Sequence, residues 1–183
     1  MSEERTLYWY DFEFMEDGKT IVPISVGIVC EDGRELHLCN RDADLRKAND
    51  WVKANVIPKL PPRSEPVWMT KAQIAEHVLA FLTAGKHRPR LWAYFAAYDH
   101  VCLCQLWGRM IDLPKALPQH TLDLKQLSVS VGSPKHPEQK GGEHNALEDA
   151  RWNRDLYAFL KRVEREPREG SVEEWYAKTK DGL

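Results

Sequence analysis

The sequence predicts an α/β protein, a mixed sheet with an antiparallel three-strand meander continued by parallel strands and flanked by helices. Two patterns carry that expectation. Residues 7–14 form a short aromatic-rich strand ending at the turn-like Glu16-Asp17-Gly18-Lys19. A β-branched strand follows over 21–30, then the hairpin signal Asp32-Gly33 and a third strand over 35–39. Downstream the pattern switches to strand–helix units, with a largely apolar strand over 90–97 running into a helix at Tyr98.

The remaining elements follow from local signals. Leu45, Ala48, Trp51, Val52 and Val56 have helical spacing, which predicts one helix over about 45–57 stopped by Pro58. Pro58, Pro61, Pro62 and Pro66 mark an extended connector. Thr70-Lys71-Ala72-Gln73 is a capping box that opens a helix with an apolar face of Ile74, Val78, Phe81 and Leu82, ended by Gly85. The helix from Tyr98 is expected to reach Arg109. A weak strand is expected near 120–124, a short helix near 125–131, a polar loop over 132–143, and a long helix over 145–165. A second capping box, Ser171-Val172-Glu173-Glu174, predicts a terminal helix over about 171–180, an appendage to a single domain spanning 1–183.

Composition is that of an ordinary soluble chain, with 43% hydrophobic and 30% charged residues, and it shows no signal peptide or transmembrane run. Cys30, Cys39, Cys102 and Cys104 form no Cys-x-x-Cys pair. Reduced thiols in a cytoplasmic protein are expected rather than a zinc site. The net charge of −2 neither announces nor opposes a nucleic-acid partner, because acids that hold metals count as negative in the formal sum.

The chemistry starts in the first strand. Asp11 and Glu13 lie two residues apart and so face the same way, with Leu7 and Trp9. Two carboxylates on a core-like face repel and lose hydration, and a hard divalent cation is the natural compensation. Asp99 falls where a strand gives way to a helix, a place where sites collect and where the helix dipole favours an acid. Asp149 is expected to continue the stripe Trp152, Leu156, Phe159 and Val163 on the long helix, an unusual place for an unpaired aspartate. His144 lies beside Gly141-Gly142, and Glu148 reads as solvated. Four carboxylates can hold two magnesium or manganese ions roughly 4 Å apart, and a histidine can take a proton from water near neutral pH.

Asp11-Phe12-Glu13, Tyr98-Asp99 and His144-x4-Asp149 together resemble the three motifs of the DEDDh 3′→5′ exonucleases, a branch of the ribonuclease H-like fold. The wording Ala97-Tyr98-Asp99-His100-Val101 and Cys104-Gln105-Leu106-Trp107-Gly108 resembles in particular the ribonuclease T-like exoribonucleases of actinobacteria and their phages. The resemblance covers the chain from the first strand to the end of the long helix. It implies a metal-dependent exoribonuclease that removes 5′-mononucleotides from the 3′ end of single-stranded RNA with two divalent cations, Mg2+ or in its place Mn2+. In that reading Asp11, Glu13, Asp99 and Asp149 hold the metals, His144 is the general base, and Phe12, Glu13, Tyr98 and His144 meet the substrate. It also implies a possible homodimer and no membrane partner. Many members carry an asparagine five positions before the second-motif aspartate; here that position is Tyr94. A DNA exonuclease with the same site, or an inactive nucleic-acid-binding module of the same fold, are the alternatives. Lys135, His136 and Lys140 are candidate phosphate contacts, and Lys86, His87, Arg88 and Arg90 form a second basic cluster that reads rather as ordinary solvated loop charge.

Overall fold

The computed structural model describes residues 4–165. A six-stranded sheet runs through it: β1 (Thr6–Glu16), β2 (Ile21–Cys30), β3 (Glu35–Asn40), β4 (Trp68–Met69), β5 (Pro89–Ala93) and β6 (Leu122–Asp123), in the order β4-β3-β2-β1-β5-β6. The pairs β1–β2 and β2–β3 are antiparallel, whereas β3–β4, β1–β5 and β5–β6 are parallel. The expected mixed sheet is therefore present, with β1 at its centre.

Because side chains alternate along a strand, β1 serves two cores. Tyr8, Tyr10 and Phe12 belong to a cluster with α2 (Lys71–Thr83) and α3 (Ala97–Gln105). On the opposite face, Trp9 packs with α4 (Leu124–Ser130) and with Leu156 and Leu160 of α5 (Ala146–Arg165). Met15 continues that face into a smaller cluster with Val52 of α1 (Asp50–Asn55). Helices thus cover both faces, and Asp11 and Glu13 lie on the α5 side.

Local signals hold where a single side chain decides them. The Thr70 hydroxyl and the Gln73 side chain both make their capping-box bonds. Gly33 sits at φ +89° in the β2–β3 turn. Elsewhere the expectation is corrected. The helix expected over 45–57 is three pieces: a 3-10 turn at Leu45–Lys47, α1, and a second 3-10 turn at Ile57–Lys59. Asp44 caps the first piece and Asn49 caps α1 through the Val52 N–H, so each restarts the chain. The connector holds a two-residue strand, β4, against β3. β5 ends at Ala93 rather than Ala97, because Phe95 adopts φ +56° and turns the chain into α3. α3 stops at Gln105, ahead of Gly108 at φ +115°. The terminal helix expected over 171–180 lies outside the described residues.

Candidate metal-dependent nuclease site

Two features bring α5 onto the acid-bearing stretch of β1. The first is Gly27, paired with Asp11 across β1–β2. A Cβ there would lie 2.2 Å from the Ala146 carbonyl oxygen and 2.3 Å from the Leu147 nitrogen, so only glycine lets the start of α5 touch the sheet. The second is Asn153, 1% exposed, whose Nδ2 donates to the Tyr10 carbonyl at 3.1 Å. Pairing with β5 ends at Trp9, so the backbone of β1 beyond it lacks strand partners on that side. Asn153 satisfies Tyr10, and Asp99 Oδ1 accepts from the Phe12 N–H at 2.8 Å.

The resulting cluster is tight. Asp11, Glu13 and Asp149 each offer a carboxylate oxygen within 4.8 Å of the others. Asp99 stands just apart, at the start of α3, with its carboxylate anchored to β1 and only 5% exposed. Asp149 is held from outside by Gln139, whose Nε2 donates to Oδ1 at 2.6 Å. Its helix position differs from the expected stripe. The buried row on α5 is Ala146, Ala150, Asn153, Leu156 and Leu160, and Asp149 flanks it beside the partly buried Trp152. It is the close seat on Gly27, not continuation of an apolar stripe, that carries Asp149 to the acids of β1. Glu148 is solvated as expected and pairs with Arg151, which also bonds Glu35.

His144 completes the cleft. It shares a hollow of about 200 Å³ with Asp11, Asp149, Tyr94 and Gln139. Its backbone lies at φ +64°, and Gly141 and Gly142 before it lie at φ +91° and +77°. A positive φ is uncommon for a non-glycine residue and concentrates at functional sites. The ring meets Trp51 edge-on at 4.8 Å. The preceding loop is fastened at three points: His136 Nε2 to the Ser128 hydroxyl, Trp152 Nε1 to the Pro137 carbonyl, and Gln139 to Asp149. His136, expected as a phosphate contact, instead packs between Tyr94 and Trp152, while Lys135 and Lys140 remain exposed. Tyr98 is half-exposed and stacks parallel on Phe14, with centroids 5.5 Å apart, at the rim by β1. Phe12 itself is buried in the opposite core, so its side chain does not line the cleft; its N–H holds Asp99.

The electrostatics show what the cluster lacks. Burial, followed by the Asp149 charge, pushes Glu13 up to about 8. Burial also raises Asp99 to about 7, against the opposing Phe12 N–H bond. Asp11 is raised well above the carboxylate range by burial and then by Asp99, Glu13 and Asp149, and burial raises Asp149 too. Four acids with no cation among them hold protons that ordinary carboxylates would lose. All the donors are hard oxygens, suited to a divalent ion such as Mg2+ or Mn2+ and not to a thiol-preferring one. The residues fit such an ion.

A stability prediction follows. Glu13 and Asp99 hold protons in the fold that the unfolded chain releases near pH 4. The contribution of these two groups to stability in chelator is therefore fully present below about pH 4 and is lost as pH rises through about 8. Thermal melts between about pH 5 and 8.5 should show a declining midpoint, restored by Mg2+ and flattened in Glu13→Gln. A midpoint independent of both pH and metal contradicts this.

A profile of the Rv2179c-like 3′-5′ exoribonuclease domain matches residues 6–160. The chain belongs to this family. The 3′-5′ exoribonuclease Rv2179c of Mycobacterium tuberculosis (strain ATCC 25618 / H37Rv) is 46% identical over 145 residues, covering 79% of this chain and 86% of the relative. Among solved structures, the nuclease domain of 3′hExo, a DEDDh family member bound to rAMP, superposes with a TM-score of 0.58 at 13% identity, covering 93% of this chain and 98% of that one. Pop2p of S. pombe, in a form binding Mg2+ and Mn2+, gives 0.51 at 13% identity, covering 87% and 83%. At these identities the likeness is one of fold, and the Rv2179c-like chain has the ribonuclease H-like sheet. No helix among its described residues is long and apolar enough to cross a membrane.

Proposed function

We propose that the protein hydrolyses single-stranded RNA from its 3′ end, one nucleotide at a time, to 5′-mononucleotides. The observation that carries this reading is the convergence of Asp11, Glu13 and Asp149 within 4.8 Å, with Asp11 and Asp149 lining one cleft with His144, in a chain of the exoribonuclease family. Asp11, Glu13 and Asp149 would hold divalent cations directly, with Asp99 beside them completing the set for a second ion. Two Mg2+, or Mn2+ in their place, would supply charge stabilisation of a phosphodiester and a more acidic water.

The chain's own groups do the rest. An imidazole nitrogen of His144, which lines the cleft, accepts the proton of the attacking water. Glu13, 8% exposed at the floor of the site, meets the terminal sugar and leaves no room for a 3′-phosphate. The stacked Phe14–Tyr98 pair offers an aromatic face to a base at the rim. Four buried, unpaired cysteines fit a reducing, cytoplasmic setting.

Matched 5′-labelled RNA and DNA, incubated with Mg2+, Mn2+ or chelator, test the reading. RNA should shorten in both metals and stay intact in chelator; undiminished cleavage after exhaustive chelation overturns it, and faster DNA cleavage favours the DNA exonuclease. His144→Ala should lower the rate by about 10²–10⁴-fold. A wild-type rate in that variant contradicts the role.

A further inference from the structure

A cavity of about 690 Å³ lies away from the acids, at the N-terminal ends of β1 and β5. Its charged lining is entirely positive: Arg5, Arg88, Arg90 and Lys115, with His120 beside them, in a chain of net charge −2. Arg90 and Lys115 are exposed, and Arg88 reaches across to the Lys115 carbonyl at 2.8 Å, joining the two walls. Leu113, Leu117 and two prolines give it an apolar side. Cations over an apolar wall match a sugar–phosphate strand better than they match a bare anion.

A second hollow of about 270 Å³ shares Gln119 and His120 with this cavity and reaches Ala96 and Ala97, the start of the helix that carries Asp99. Phe95 and Tyr98, 60% and 50% exposed, stand beside that end, and Tyr98 stacks on Phe14. Arg5 and Asp11 are six residue steps apart along the chain, about 20 Å of strand.

We propose that this cationic cavity holds the upstream part of the same RNA strand whose 3′ end enters the acid cleft. It thereby makes affinity depend on substrate length while leaving the chemical step alone. The proposal rests on the exonuclease reading. A strand reaching both places spans several nucleotides, within the ~4–16 nucleotide footprints of such grooves.

The test uses Arg90→Glu/Lys115→Glu, two exposed positions outside the acid cleft, with Lys47→Glu/Lys71→Glu as a control of equal charge change. Each is assayed on a dinucleotide and on an RNA of about twelve nucleotides with the same 3′ end. For the long RNA the cavity variant should raise KM by about tenfold at low salt with kcat unchanged, and flatten the log–log salt dependence of kcat/KM by about 1.4, two contacts at ~0.7 each. Dinucleotide cleavage should match wild type, and the control should show neither change. An unchanged KM for the long RNA, or equal loss on both lengths, overturns the proposal. If wild type cleaves neither RNA, the exonuclease reading has failed. Binding of the labelled long RNA in chelator then decides the cavity alone: equal affinity for wild type and cavity variant overturns it, and selective weakening in the variant supports it.

Discussion

Asp149→Asn is expected to lower cleavage by on the order of 10³-fold or more, the effect of losing about 4 kcal/mol of transition-state charge stabilisation. The fold should survive. Asp149 is half-buried at the first turn of α5, and the amide keeps its volume and an oxygen for the Gln139 N–H. Removing one of four mutually repelling carboxylates should leave the metal-free protein as stable as wild type or more so, with a higher melting midpoint in chelator. Mg2+ should then stabilise the variant less than it stabilises wild type. Wild-type cleavage by folded Asp149→Asn, or an undiminished response to Mg2+, would remove Asp149 from the site.

Gly27→Ala is expected to be strongly destabilising. The new Cβ would meet main-chain atoms of Ala146 and Leu147, which no rotamer change relieves. Either α5 lifts from the sheet or β2 shifts, at a cost of about 3 kcal/mol or more. Because α5 carries Asp149 and Asn153, the same displacement separates Asp149 from Asp11 and strains the Asn153–Tyr10 bond. Denaturant unfolding should show a reduced midpoint, and the surviving folded fraction should bind Mg2+ more weakly. Gly33→Ala is the comparison: its methyl group meets nothing, so it should cost only the strain of an alanine at φ +89°, and less than Gly27→Ala. Equal stability for Gly27→Ala and wild type would mean that the contact does not set the position of α5.

The acid pair of β1 was legible because strand alternation is a local rule; Asp11 and Glu13 need no partner to share a face. The capping box at Thr70 and the Asp32-Gly33 turn were legible for the same reason. The site's third acid was legible as a residue but not as a position. The stripe through Asp149 and Trp152 and the true buried row through Ala150 and Asn153 differ by one residue in register. Only the surface beneath α5 decides between them. That surface contains Gly27, a glycine inside an apolar strand, which is itself a sign of close backbone approach. Asn153 and Gln139 left no local mark, since each acts on a group distant in sequence, the Tyr10 carbonyl and Asp149. The helix expected over 45–57 breaks into three pieces because the side chains of Asp44 and Asn49 cap and restart the chain, a local effect that outweighs the apolar spacing.

The account stands most directly on the direction of cleavage. Single-stranded RNA labelled at its 5′ end should give, in Mg2+, a ladder that shortens from the 3′ end. The same RNA labelled in its last nucleotide should release a 5′-mononucleotide as its first product, and a 3′-phosphate should block both. Internal fragments, or a labelled mononucleotide appearing first from the 5′-labelled strand, would contradict it.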